Sequence, residues 1–310
     1  MQRTGYCQNS GLTTYSSMHN PFNRATEDVG NIIEFGHINL RVANQQQAVI
    51  FYAMGLGLTR DPYQRVGIEN AWINIGSSQF HLPTGRAEVL RGVVGLVMPD
   101  LDALLARLGQ IAPLLTGSQF SFERVGDAVH ATCPWGNRIR VHAPDPGQFG
   151  PMLLGMPYVE VDCAPGTAAG IARFYAEMLG APGKVCEDGH GVFARIPMGL
   201  WGCLVFRETM RALPAYDGHH VQISVADFSG PHQRLLARGL VTEESNQSQY
   251  RFQNIICMDT GNVLATLEHE VRSMRHTSFA RPLVNRNLAN YGDAYVPGWE
   301  DAAWQAGPTA

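Results

Sequence analysis

Along much of the chain, apolar and polar residues alternate with strand period, and the alternation is interrupted by segments of helical period. In "GHINLRV" (36–42), Ile38, Leu40 and Val42 share one face while His37, Asn39 and Arg41 share the other. In "QFHLP", Phe80 and Leu82 oppose Gln79 and His81, and in "NRIRVH", Ile139 and Val141 oppose Arg138, Arg140 and His142. Each run predicts a strand with one buried and one polar face, because successive strand side chains point to opposite sides. The same pattern returns in "MPYVEVDC", with Tyr158, Glu160 and Asp162 on the polar face, and in "HVQISV", with His220, Gln222 and Ser224. In "GNVLATLEHEV", counting from the glycine turn points Val263, Ala265 and Leu267 inward and leaves Glu268 and Glu270 outside. A single bulge would reverse that parity and bring Glu268 inward beside His220.

The order of elements repeats. A strand, a turn and a helix around Phe51-Tyr52 in 36–58 are matched by the same order around Phe174-Tyr175 in 155–182. Further strand–helix pairs occupy 93–109 and 220–240, and "WGNRIRVHAP" and "TGNVLATLEHEV" each run from a Gly-Asn turn into a final strand. The chain therefore reads as four strand–helix–strands units, an α+β protein. Its expected divisions are an extension over 1–31, a first domain over 32–146, a second over 153–272, and a tail over 273–310. The Pro/Gly-rich "APDPGQFGPMLLG" (143–155) is the expected linker.

With 310 residues, 45% hydrophobic and 16% charged, the chain can bury a sizeable core. A net charge of −4 points away from nucleic acid, which calls for a concentrated basic surface. Lys184 is the only lysine, so the positive charge is almost entirely arginine, suited to two-point recognition of oxyanions. No apolar run reaches the roughly 20 residues of a membrane span, and the N-terminus lacks the apolar core of a secretory signal. Six scattered cysteines without a C-x-x-C pair fit a reducing cytoplasm. No phosphate-binding G-x-x-x-x-G-K-[ST] loop is present, so no nucleotide cofactor is indicated.

The stretches "GHINLRV", "FYAMGLGL", "VGLVMPDLDALLARL" and "GNRIRVH", with weaker copies in the second half, resemble the vicinal oxygen chelate superfamily over roughly residues 33–271. That superfamily includes glyoxalase I, bleomycin-resistance proteins and extradiol dioxygenases. The resemblance implies two tandem domains, each made of two βαβββ units that curl into a cup with helices outside. It also implies metal-ligand positions in the first and last strands of each unit. These fall on His37, His81, about Val93 and Arg140 in the first half, and on Met156, about Val205, His220 and Ala265 in the second. The family also suggests a small-molecule substrate and a homodimer as one expected assembly.

Three readings of the polar faces follow. In the first, His37 and His81, with His142 as a third ligand, hold Fe, Mn, Zn or Ni for a dioxygenase, lyase or isomerase acting on a small oxygenated or aromatic compound. His220 with Glu268 is the alternative metal pair in the second half. In the second reading the cup binds and sequesters a small molecule without turnover. In the third, no metal is used: Arg140 is the electrophile and His37 or His81 the base. Asn39, Arg41, Gln79, Arg138, Tyr158, Glu160 and Gln222 are the expected substrate contacts, and His220 a further acid–base candidate.

Overall fold

The computed structural model describes residues 22–64, 69–286 and 295–297. Most of the N-terminal extension, with Cys7, and much of the tail lie outside the described residues. Unit one contains β1 (Ile32–Asn39), β2 (Thr59–Arg60), β3 (Asn70–Ile75) and β4 (Ser78–Pro83). Unit two contains β5 (Gly92–Val97), β6 (Ser121–Val125), β7 (Ala128–Thr132) and β8 (Arg138–His142). Unit three contains β9 (Gly155–Cys163), β10 (Lys184–Asp188), β11 (Gly191–Met198) and β12 (Gly202–Glu208). Unit four contains β13 (His220–Val225), β14 (Val241–Asn246), β15 (Gln249–Ile256) and β16 (Val263–Ser273).

These strands form two eight-stranded mixed sheets, each built from two units, as the family resemblance implies. The grouping differs from the expected one. The first sheet runs β14-β15-β16-β13-β1-β4-β3-β2 and joins units one and four; the second runs β10-β11-β12-β9-β5-β8-β7-β6 and joins units two and three. The two units within 32–146 therefore do not share a sheet, and neither do the two within 153–272. The decisive pairings are antiparallel: β1 with β13, where Ile38 faces Val221, and β5 with β9, where Val94 faces Val159. All four of these residues are buried, so each junction buries two apolar faces at once.

Helices cover the apolar faces. Asp100 caps α1 (Leu101–Ile111) by accepting from the Ala103 amide at 2.8 Å, and Leu101, Leu104, Leu108 and Ile111 form its buried stripe. Phe51 and Tyr52 lie in a wide i→i+5 turn, as do residues 175–179 after Phe174, and both Phe-Tyr pairs are fully buried edge to face. Among the described residues no helix is long and apolar enough to cross a membrane.

One turn ties unit one to the C-terminal segment. Gly76, between β3 and β4, has φ 60°, and a Cβ there would overlap the Leu154 carbonyl oxygen. Its N–H donates to Asn285 Oδ1 at 3.1 Å, and its carbonyl accepts from Asn285 Nδ2 at 2.8 Å. Gly76→Ala is expected to lower stability by about 1–3 kcal/mol, read as a lower urea midpoint at unchanged slope.

Candidate metal centre

Four strands bring the polar residues of the first sheet to one place. His37 on β1 stands beside Gln79 on β4 and opposite Gln222 on β13, and Gln222 is level with Glu270 on β16. One step along, Asn39 stands beside His81 and opposite His220, which is level with Glu268. The concave face thus carries two rows of polar side chains drawn from units one and four. His37, Asn39, Gln79, His220, Gln222 and Glu270 are all buried.

Glu268 and Glu270 belong to this face, which corrects the outward orientation counted from the Gly261 turn. The β15–β16 register shifts twice, and Leu267, His269 and Val271 take the fully buried positions behind the sheet. Alternation then turns both glutamates into the cup. Apolar burial at Leu267 and Val271 decides the parity there, not distance from the turn.

Within the cup, ligand atoms of His37, His220 and Glu270 all lie within 4.8 Å of one another. His37 Nε2 and His220 Nε2 are buried and have no hydrogen-bond partner. Unpaired buried nitrogens of this kind are costly unless something fills them, and two imidazoles plus a carboxylate match the donor preferences of Fe, Mn, Zn or Ni. Both imidazoles are held well below their ordinary pKa. For His37 the main cause is burial, then the charge of Arg272; for His220 it is burial, then Arg251. Both rings are therefore neutral, the form that ligates.

Two arginines on the same face hold Glu270. Arg251 donates to its Oε2 at 2.6 Å and Arg272 pairs with its Oε1 at 2.5 Å, while Arg251 also donates to Glu268 at 2.6 Å. Glu268 lies 3.5 Å from His220 Nδ1. His81 stacks flat on Trp72, with ring centroids 3.7 Å apart, and its ring is 5.5 Å from that of His37. Trp72 also meets His37 edge on at 5.0 Å. Gln79 Nε2 donates to Asp61 and Asn74, and Gln222 donates to Ser224, so these amides are already engaged.

Of the residues expected from the sequence, His37, His81, Asn39, Gln79, His220, Gln222 and Glu268 share this cup. The others lie elsewhere, because β1 pairs with β13 and not with its own half. Arg138, Arg140, His142, Tyr158 and Glu160 belong to the second sheet, so neither His142 as third ligand nor Arg140 as partner of His37 fits the arrangement. There His142 Nε2 meets the Tyr158 hydroxyl at 2.9 Å, Glu160 accepts from Arg207 at 3.0 Å, and Arg138 donates to the Gly92 carbonyl. Arg41 is half-exposed and pairs with Glu88 at 2.8 Å, outside the cup. The expected ligand positions Met156, Val205 and Ala265 carry no ligand group.

Four members of the centre were not anticipated: Trp72, Arg251, Glu270 as a ligand, and Arg272. For Trp72 a signal existed, since "NAWINI" alternates and puts Asn70, Trp72 and Asn74 on the polar face. For the arginines none did, because their role depends on β15 lying beside β16.

No family model matches the chain, and no curated protein matches it. Solved structures do. Glyoxalase I from Zea mays matches with a TM-score of 0.54 at 13% identity, covering 77% of this chain and 92% of that one. A mutant of the same glyoxalase I matches with a TM-score of 0.55 at 14% identity, covering 80% and 95%. A candidate dioxygenase from Bacillus subtilis matches with a TM-score of 0.52 at 16% identity, covering 78% and 86%. The likeness lies in the fold, two eight-stranded cups of paired βαβββ units.

Proposed function

We propose that this chain, which has the vicinal oxygen chelate fold, is a metal-dependent enzyme of dioxygenase type acting on a small oxygenated or aromatic compound. The observation that carries the reading is the buried cluster of His37 Nε2, His220 Nε2 and the Glu270 carboxylate, two of whose nitrogens have no partner. These three side chains would hold the metal. Two histidines and one carboxylate leave positions open on a divalent ion, which then supplies Lewis acidity and, as Fe(II), oxygen chemistry.

The surrounding residues have separable tasks. Arg251 and Arg272 fix the Glu270 carboxylate, so it presents an oxygen without losing side-chain freedom at binding. Trp72 and the stacked His81 form a flat wall against which an aromatic ring of substrate would lie. His81 stands beside the cluster without joining it and can accept a proton from a substrate hydroxyl. Burial of the cluster excludes bulk water.

Protein purified without chelators and reconstituted with Fe(II), Mn(II), Zn(II) or Ni(II) is expected to retain about one equivalent of one of them. His37→Ala and His220→Ala should each lose it, while Arg140→Ala keeps it. Oxygen uptake by the Fe(II) form with a panel of catechols tests the reaction class. Failure of the wild type to retain any of these metals would end the metal reading. Metal-dependent binding of a catechol without turnover would favour a sequestering protein.

A further inference from the structure

The two sheets share one strand plan, so their positions can be matched through strand register. In the first sheet Asn39 stands opposite His220 and beside His81; in the second, Gly95 stands opposite Tyr158 and beside Arg140. Likewise His37 is level with Gln222 and Glu270, and Val93 with Glu160 and Val205. The positions matching His37, His220 and Glu270 are therefore Val93, Tyr158 and Val205. Two valines and a tyrosine do not make a divalent-metal site.

The second cup is nevertheless a formed cavity of about 260 Å³, and its charge balance is uneven. Three arginines line it: Arg140, Arg195 and Arg207. Its two carboxylates, Glu160 and Asp188, both pair with Arg207, at 3.0 and 2.8 Å. Among the described residues no carboxylate forms an ion pair with Arg140 or Arg195. His142, whose pKa is lowered by burial and by Arg140, brings no negative charge to offset the arginines.

Part of the wall is aromatic. Phe149, Phe193 and Trp201 line the cavity with the ring of Tyr158. Two glycines make room for these rings: a Cβ on Gly95 would overlap Tyr158, and one on Gly150 would overlap Trp201. A space this small, below the usual range for drug-sized ligands, suits a single ring. Guanidinium groups match a carboxylate at two points, and the rings match an aromatic body.

We propose that the second cup is a separate binding site for a small aromatic carboxylate, held by Arg140 and Arg195 against the aromatic walls. The site lies apart from the candidate metal centre, since its arginines come from units two and three and Phe149 from the segment between them. Benzoate is the probe, titrated into the full-length protein by calorimetry with Trp201 fluorescence as a second readout. Saturable binding of one equivalent is expected, with acetate at least fivefold weaker. Arg140→Ala and the more exposed Arg195→Ala should each weaken benzoate at least tenfold with the far-UV circular dichroism unchanged, and His37→Ala should leave it unaltered. Absence of saturable benzoate binding by the wild type would overturn the proposal. So would full affinity in Arg195→Ala, or loss of binding in His37→Ala.

Discussion

Glu270→Ala is expected to lose both the metal and a substantial part of the protein's stability. The carboxylate is only 4% exposed and is the one anionic member of the ligand cluster. With two neutral imidazoles left, metal retained after desalting should fall below a tenth of the wild-type amount. The stability loss has a different origin. Arg272, 11% exposed at its side chain, loses its carboxylate partner and keeps its hydrogen bonds to Gln249 and Ser278. Arg251 retains Glu268. Breaking a buried pair from one side costs about 3–5 kcal/mol, and the surviving Glu268 contact places this variant near about 3 kcal/mol. Urea unfolding of the metal-free proteins isolates that part. Equal midpoints for wild type and variant would show that the arginines find other partners.

The second large effect concerns Asp61, whose side chain is fully buried at the edge of the same cup. It accepts from Arg281 at 2.6 Å, from Gln79 at 3.0 Å, and from the backbone N–H groups of Tyr63 and Gln64 at 2.8 and 3.0 Å. Burial alone would push its carboxyl up, but Arg281 and the two amides outweigh it, and the pKa lies below the ordinary carboxylate value. Asp61→Ala should cost about 2–3 kcal/mol, less than a wholly buried pair because Arg281 can turn towards water. The charge-dependent part has a defined sign. A depressed carboxyl stabilises fully above its unfolded pKa of about 4, and that stability is lost as pH falls through the folded value. The gap in urea midpoint between wild type and Asp61→Asn should therefore be widest near pH 7 and narrow in acid. A gap that widened on acidification would contradict this account. Because Arg281 lies on the C-terminal segment, Asp61→Ala should also speed proteolysis near residues 274–283.

The arginines of "RSMRHTSFARPLVNRN" gain a role from these contacts. Arg272 pairs with Glu270 in the candidate metal centre and Arg281 with Asp61, while Arg286 reaches the Ala53 carbonyl at 3.2 Å. Each docks on unit one or its sheet partner, which the sequence pattern does not disclose.

Strand identity, the polar and apolar faces of β1, β4, β8, β9 and β13, and the fourfold unit were all legible in the chain, because they depend on local periodicity. The polar face of β1 marked His37 and Asn39, that of β4 marked Gln79 and His81, and that of β13 marked His220 and Gln222. Pairing between units is not local. Any unit with an apolar strand face can join any other, and the choice of β13 for β1 lies in how buried side chains meet across some 180 residues. That choice removed Arg140 and His142 from the cup of His37 and installed His220 and Glu270. The orientation of Glu270 was hidden for a related reason, since register shifts in β16 reset the alternation after the turn. The sequence by itself thus determined which residues face a cup. Only the tertiary structure decided which of them share one, because side chains distant along the chain meet through sheet pairing, whose energy comes from contacts that periodicity does not encode.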